Sequence, residues 1–316
     1  MSIDGAFESS VMNTFGATSI KVSLAMGGAL VLLLVTLSVM TVEAAGSTPG
    51  EDTRSDAEDR ARRALATTAE ILPNGVAAGD TTHTSTLLWA RGTTVGAVLF
   101  ECSTDPTFNT DVLTATATVT DALQPVKVEI MGLRPATAYF YRVTDPASAS
   151  AEGSFRTAAP AEAAAGVRFG VSGDWNGQLA PYPSIANADE RGLDFFVEHG
   201  DTVNANSATT LDEFRLKHDE VYSTHLGMNT WADLRASTSI LATIDDNDVR
   251  DGFAGGAAPS SDPRFDNTGA FINETQLYRD ALQAFQEYNP LRDGFYGATG
   301  DPRTADKRKL YRFNTY

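Results

Sequence analysis

Residues 239–248 read Ser239-Ile-Leu-Ala-Thr-Ile-Asp-Asp-Asn-Asp248, six residues suited to a buried strand followed by four that bind cations or open a turn. An apolar run stopped this abruptly predicts a strand over 239–244 whose end meets water. Two other stretches share the pattern. Val167-Arg-Phe-Gly-Val-Ser172 runs into Gly173-Asp174, and a strand expected over 193–198 runs through His199 into Gly200-Asp201. Each set of carboxylates then lies just past the C-terminal end of a strand, where open α/β sheets hold their ligands. Taken singly, each aspartate reads as a helix N-cap or a turn opener. The repetition shifts that reading, because Asp245 and Asp246 brought near Asp174 and Asp201 repel one another unless cations stand between them. Hard, oxygen-preferring metals relieve such repulsion.

The charge balance agrees with a cation partner. The 316 residues include 24 Lys and Arg against 41 Asp and Glu, a formal net charge of −17. That charge repels nucleic-acid phosphates and concentrates divalent cations, which argues against nucleic acid as a partner. Cys102 is the single cysteine, so neither an intrachain disulfide nor a cysteine-rich zinc site can form, and the four histidines lack the spacing of a zincin motif. A metal site here relies on oxygen ligands.

Residues 22–42 carry no charge, and at about 1.5 Å per residue they span roughly 30 Å of hydrocarbon. Residues 1–45 are therefore expected to hold a signal peptide or membrane anchor, making the protein secreted or membrane-anchored with extracytoplasmic domains. Residues 46–72 have the composition of a linker. From 73 to 158, apolar or alternating runs at 86–90, 96–101, 112–119, 126–130, 138–143 and 153–157 predict an all-β sandwich. Its most specific piece is Leu133-Arg-Pro-Ala-Thr-Ala-Tyr-Phe-Tyr-Arg-Val143, which resembles the fibronectin type III pattern and places a tyrosine to hydrogen-bond back across a corner. Beyond the Ala/Pro-rich joint at 158–165, strands alternate with helices. One helix has Leu211, Phe214, His218, Val221 and Tyr222 on one face, with Thr210 and Glu213 as a capping box; another is expected at about 274–287. This is an α/β layer pattern.

The order of motifs carries a family resemblance. Gly75-Val-Ala-Ala-Gly-Asp80 and Leu87-Leu-Trp-Ala-Arg91 are followed by Phe169-Gly-Val-Ser-Gly-Asp174, His199-Gly-Asp-Thr-Val203, Phe214-Arg-Leu-Lys-His-Asp-Glu-Val-Tyr222 and Thr243-Ile-Asp-Asp-Asn-Asp-Val249. Over residues 72–316 this resembles the PhoD-like alkaline phosphatases of the calcineurin-like metallophosphoesterase superfamily. The resemblance implies a fibronectin type III-like sandwich followed by an incomplete α/β metallophosphoesterase layer fold over 167–316. It also implies metal-dependent hydrolysis of a phosphoester substrate, with two or more divalent or trivalent ions, calcium and iron being those the family suggests.

Asp174 and Asp201 map onto the family's first two metal motifs, and the third motif, a strand followed by Asp-Asp-His-Glu, maps onto Asp245, Asp246, Asn247 and Asp248. Asn204 stands where the family has a metal-ligating tyrosine. Asn247 occupies the catalytic position of a histidine that can protonate a leaving group. The family continues through further histidine-bearing strands, whereas this chain ends at residues 310–316, expected to lie inside a strand, so a fragment or truncated product is expected. The competing expectation is a non-catalytic secreted or membrane-anchored protein, a sandwich joined to a degenerate cation-binding domain. Asn273-Glu-Thr275 adds a glycosylation sequon.

Overall fold

The structure, a computed structural model, describes residues 72–175, 181–223, 230–258, 265 and 271–316. The expected apolar span at 22–42 and the linker before residue 72 lie outside the described residues. Among the described residues no helix is long and apolar enough to cross a membrane, and strands outnumber α-helices. Strands β1 (Val76–Gly79), β2 (Ser85–Ala90), β3 (Gly96–Ser103), β4 (Leu113–Val119), β5 (Val126–Met131), β6 (Ala138–Thr144) and β7 (Ser150–Arg156) precede β8 (Phe169–Ser172), β9 (Phe195–His199) and β10 (Ser239–Thr243). The α-helices among the described residues are α1 (Leu211–Tyr222), α2 (Thr230–Ser237) and α3 (Gln276–Tyr288).

One sheet has the order β5-β2-β1-β10-β9-β8 and the other β4-β3-β6-β7. The second is antiparallel throughout. In the first, β5, β2 and β1 pair antiparallel, while β1-β10, β10-β9 and β9-β8 are parallel. Strands from both sides of the Ala/Pro-rich joint thus share one hydrogen-bonded sheet. Ala78 of β1 registers with Ser239 of β10. A side chain at Gly79 would meet the Pro290 carbonyl oxygen at 2.3 Å and the Ile240 carbonyl oxygen at 2.8 Å, so this closeness requires glycine.

Side-chain alternation explains how the shared sheet buries both faces. Val76, Ala78, Leu88 and Ala90 point toward the second sheet and pack with Val98, Phe100, Tyr141 and Val143. Ala77 and Trp89, the residues between them, enter the other core with Ile240, Phe214, Trp231 and Phe285. The expected corner tyrosine is Tyr139, whose hydroxyl accepts the Arg134 N–H at 2.9 Å.

Helix α1 starts where expected, with Thr210 Oγ1 accepting the Glu213 N–H at 3.3 Å. The Glu213 carboxylate accepts instead from the Thr209 N–H at 2.8 Å, one residue before the cap, so half of the expected capping box forms. Helix α3 begins at Gln276 behind a Thr275 cap. Arg215 bridges the two helices, donating to Glu287 at 2.7 and 2.9 Å and to Asp212 at 2.8 Å. Residues 310–316, expected as a strand, form none. Arg312 anchors that segment, with Nε donating to Asp80 Oδ1 at 2.8 Å and Nη2 to the Ala242 carbonyl at 2.6 Å, contacts that a side chain makes without a ladder.

Candidate metal centre

Because β8, β9 and β10 are parallel neighbours, their C-terminal ends open on one edge of the sheet and deliver Asp174, Asp201 and Asp245 side by side. The turns are tight. Asp174 and Asp201 have φ of 59° and 47°, in the left-handed region that aspartate tolerates better than most side chains. Gly200, at φ 77°, is required twice over: a side chain there would meet Asp245 Cβ at 2.5 Å and its backbone nitrogen at 2.6 Å.

One carboxylate oxygen each from Asp201, Asp245 and Asp246 lie within 4.8 Å of one another. Asp174, Asp201, Asn204 and Asn247 line an adjoining cavity of about 160 Å³ with Trp175 and Val203. All six residues marked in the sequence therefore meet at one sheet edge, with Asp201 common to the trio and the cavity. Asp174 and Asn204 stand outside the trio. Trp175 closes the inner side, stacking on Trp231 at 4.8 Å and meeting Tyr182 edge-on at 5.2 Å.

Asn247 organises the acids. Its backbone N–H donates to Asp201 Oδ1 at 2.9 Å, and Nδ2 donates to Asp201 Oδ2 at 2.7 Å and to Asp246 Oδ1 at 3.1 Å. Its Oδ1 accepts from Asn206 Nδ2 at 2.6 Å. The amide is thus engaged within the protein. Asp245 also fulfils the simpler capping role, since its Oδ1 accepts the Asp246 N–H at 2.9 Å and opens the short 3-10 turn Asp246–Asp248. Asp246 Oδ2 accepts the Gly252 N–H at 2.6 Å.

Burial lifts the Asp201 carboxyl above the usual range, and the charges of Asp246 and Asp245 add to the rise; hydrogen bonds from Asn247 oppose it. Asp248, fully buried, is pushed up to about 8 by desolvation, with the Asp201 charge adding and the N–H groups of Asp245, Asp201 and Val203 resisting. An oxygen-only trio in which the charges of Asp245 and Asp246 raise the proton affinity of Asp201 suits a hard cation.

Behind this edge lie polar residues that no motif marks. Glu198 of β9 faces Arg235 of α2 at 3.5 Å, both buried, and the guanidinium lies over the Tyr222 ring at 3.6 Å and Trp89 at 4.8 Å. Desolvation raises the Glu198 pKa. A carboxylate at the end of an otherwise apolar strand, and an arginine in a helix beside Trp231, were the available signals. The sequon asparagine is buried too, with Asn273 Oδ1 accepting the Gly256 N–H at 2.6 Å, so the folded chain has no room for a glycan there.

Residues 57–159 match the family described as PhoD-like phosphatase, N-terminal domain, and residues 174–316 match PhoD-like phosphatase. Among solved structures, that of PhoD superposes with a TM-score of 0.64 at 21% identity, over 79% of this chain and 50% of PhoD. The likeness is one of fold, and this chain spans half the length of that relative. The sensor domain of the anti-sigma factor RsgI4 in Pseudobacteroides cellulosolvens matches with a TM-score of 0.24 at 21% identity, over 27% of this chain and 94% of that one. The fn3 domain of human collagen alpha-1(XX) chain gives 0.23 at 17%, over 32% and 95%. No curated protein sequence matches.

Proposed function

We propose, for a chain that belongs to the PhoD-like phosphatase family, metal-dependent hydrolysis of a phosphoester at the edge formed by β8, β9 and β10. The observation that carries this reading is the convergence of Asp201, Asp245 and Asp246 beside the cavity lined by Asp174 and Asn204. These five residues would hold the ions, Asp201 standing in both the carboxylate trio and the cavity lining. When bound, such cations neutralise phosphate oxygens and lower the pKa of water. Asn247 holds the Asp201 and Asp246 carboxylates in place, while Trp175 and Val203 exclude water from the inner wall. The Asn247 amide cannot give up a proton, so the leaving group receives none from position 247.

Titration of the purified chain with Mn²⁺ by calorimetry tests the centre. Asp201→Ala is expected to weaken binding about tenfold or more, as loss of a first ligand or its support does. Equal affinity in the two proteins would reject a shared site.

A second reading, cation binding without catalysis, is favoured by the asparagine at 247 and its engaged amide. It predicts Mn²⁺ binding with no turnover of an aryl phosphoester. The apolar span at 22–42 supports placement in or across a membrane, which fractionation of the expressed chain checks.

A further inference from the structure

We propose that Asp248 is the positioning residue of this centre, tying together the β9 and β10 turns that carry its ligands; the inference rests on the metal-centre reading above. Strands β9 and β10 register as far as His199 opposite Thr243, and beyond that pair the ladder stops. The ligands begin two residues later. Across that gap Asp248 Oδ2 accepts the Asp201 N–H at 2.9 Å and the Asp245 N–H at 2.9 Å, so one oxygen takes over from the ladder.

The tie acts on a backbone that needs holding. Asp201 sits at φ 47°, a conformation that persists in a side-chain-bearing residue only when its surroundings enforce it. With its N–H released, Asp201 can leave the left-handed region, and its carboxylate then swings away from Asp245 and Asp246. A closer approach of the two turns is barred, because Gly200 already abuts Asp245. The distance between the ligand turns is therefore bounded on one side by this contact and on the other by Asp248. Fold stability alone does not account for the arrangement: Asp248 is fully buried, and burying a carboxylate carries a desolvation cost that a turn capped by an exposed residue avoids.

The test compares Asp248→Asn, which keeps an acceptor oxygen in place, with Asp248→Ala, which has none. Both are measured in the full chain by Mn²⁺ calorimetry and by amide hydrogen exchange at Asp201 and Asp245 without metal. Loss of a supporting residue typically lowers metal affinity about 10- to 100-fold, so Asp248→Ala is expected to fall in that range with faster exchange at both amides. Asp248→Asn is expected to stay within about threefold of the parent, with both amides protected, because neutral acceptors hold backbone N–H groups nearly as well. Parent-like Mn²⁺ affinity in Asp248→Ala overturns the proposal. So does an equal loss in Asp248→Asn, which would make charge decisive. Should the alanine variant fail to fold, the asparagine variant decides: a loss of Mn²⁺ affinity well beyond about threefold, or loss of amide protection at Asp201 and Asp245, overturns the proposal, and parent-like values in both support it. Absence of Mn²⁺ binding in the parent would reject the metal-centre reading, while the exchange rates would still test the tie.

Discussion

Asn247 grips both oxygens of Asp201, the backbone N–H holding Oδ1 at 2.9 Å and the side-chain nitrogen holding Oδ2 at 2.7 Å. The residue is built to orient a carboxylate and has no proton to lend. General acid catalysis is worth about 10² to 10⁴ in rate, and aryl phosphoesters leave readily without it. If the chain hydrolyses phosphoesters as proposed, it is expected to favour nitrophenyl over alkyl phosphoesters, and Asn247→His to narrow that gap by improving the alkyl substrates. Comparing kcat/KM on both substrates in both proteins checks this; equal efficiency in the parent would show that another acid serves.

Gly200→Ala should damage the centre more than the fold. The added methyl meets Asp245 at 2.5 Å and the backbone is in the left-handed region, so the two ligand turns must separate. Strain of this kind costs about 1–3 kcal/mol. A lower thermal midpoint together with weaker Mn²⁺ binding is expected; unchanged binding would show that the turns are not coupled.

The Glu198 and Arg235 pair is buried on both sides. Removing one partner of a buried pair costs about 3–5 kcal/mol because the other charge is left in low dielectric. Arg235→Leu should destabilise by that order. Adding Glu198→Gln should recover part of the loss, and additive effects in urea unfolding would show that the pair is not coupled.

His218 introduces acid sensitivity. Its ring is fully buried between Tyr222 and Tyr288, neither nitrogen has a hydrogen-bond partner, and desolvation, with the Arg235 charge behind it, lowers its pKa from 6.5 to about 3. A folded-state pKa below the unfolded one means that the unfolded chain binds the proton first. Stability from this residue is complete above pH 6.5 and falls as the pH drops toward 3, by about 1.4 kcal/mol per unit. Glu198 and Asp248, both raised, act with the opposite sign, so the comparison must be with His218→Phe. The stability difference between the two proteins should be flat above pH 6.5 and shift against the parent below it; a flat difference throughout contradicts the assignment.

Cys102 should stay silent toward thiol reagents. Burial pushes its thiol up to about 12, leaving almost no thiolate at pH 8. Labelling is expected only on unfolding, and rapid reaction of the folded chain would show that the inter-sheet core opens.

Local pattern was enough to mark the strands that matter here. Period-two alternation, turn residues and the three apolar runs ending in aspartate lie within a few residues of one another in the chain, so they can be read without knowing what packs against them. The same locality hid the rest. Ala77 and Val76 look alike in sequence, and only the second sheet on one face and helix α1 to α3 on the other give them different cores. Val76–Gly79 pairs along its length with the neighbouring β2, but only β10, arriving from far along the chain, joins it to the parallel half of the sheet. Asp248 resembles its acidic neighbours in the sequence, yet in the fold it turns inward to accept the N–H groups of Asp201 and Asp245. Asp174 and Asn204 share a cavity while standing apart from the trio. Sequence by itself determined which residues could bind a cation, because carboxylate chemistry is local. Which of them converge, which one braces the others and which amide holds Asp201 were decided by the parallel order of three strands, a relation between segments that no single stretch contains.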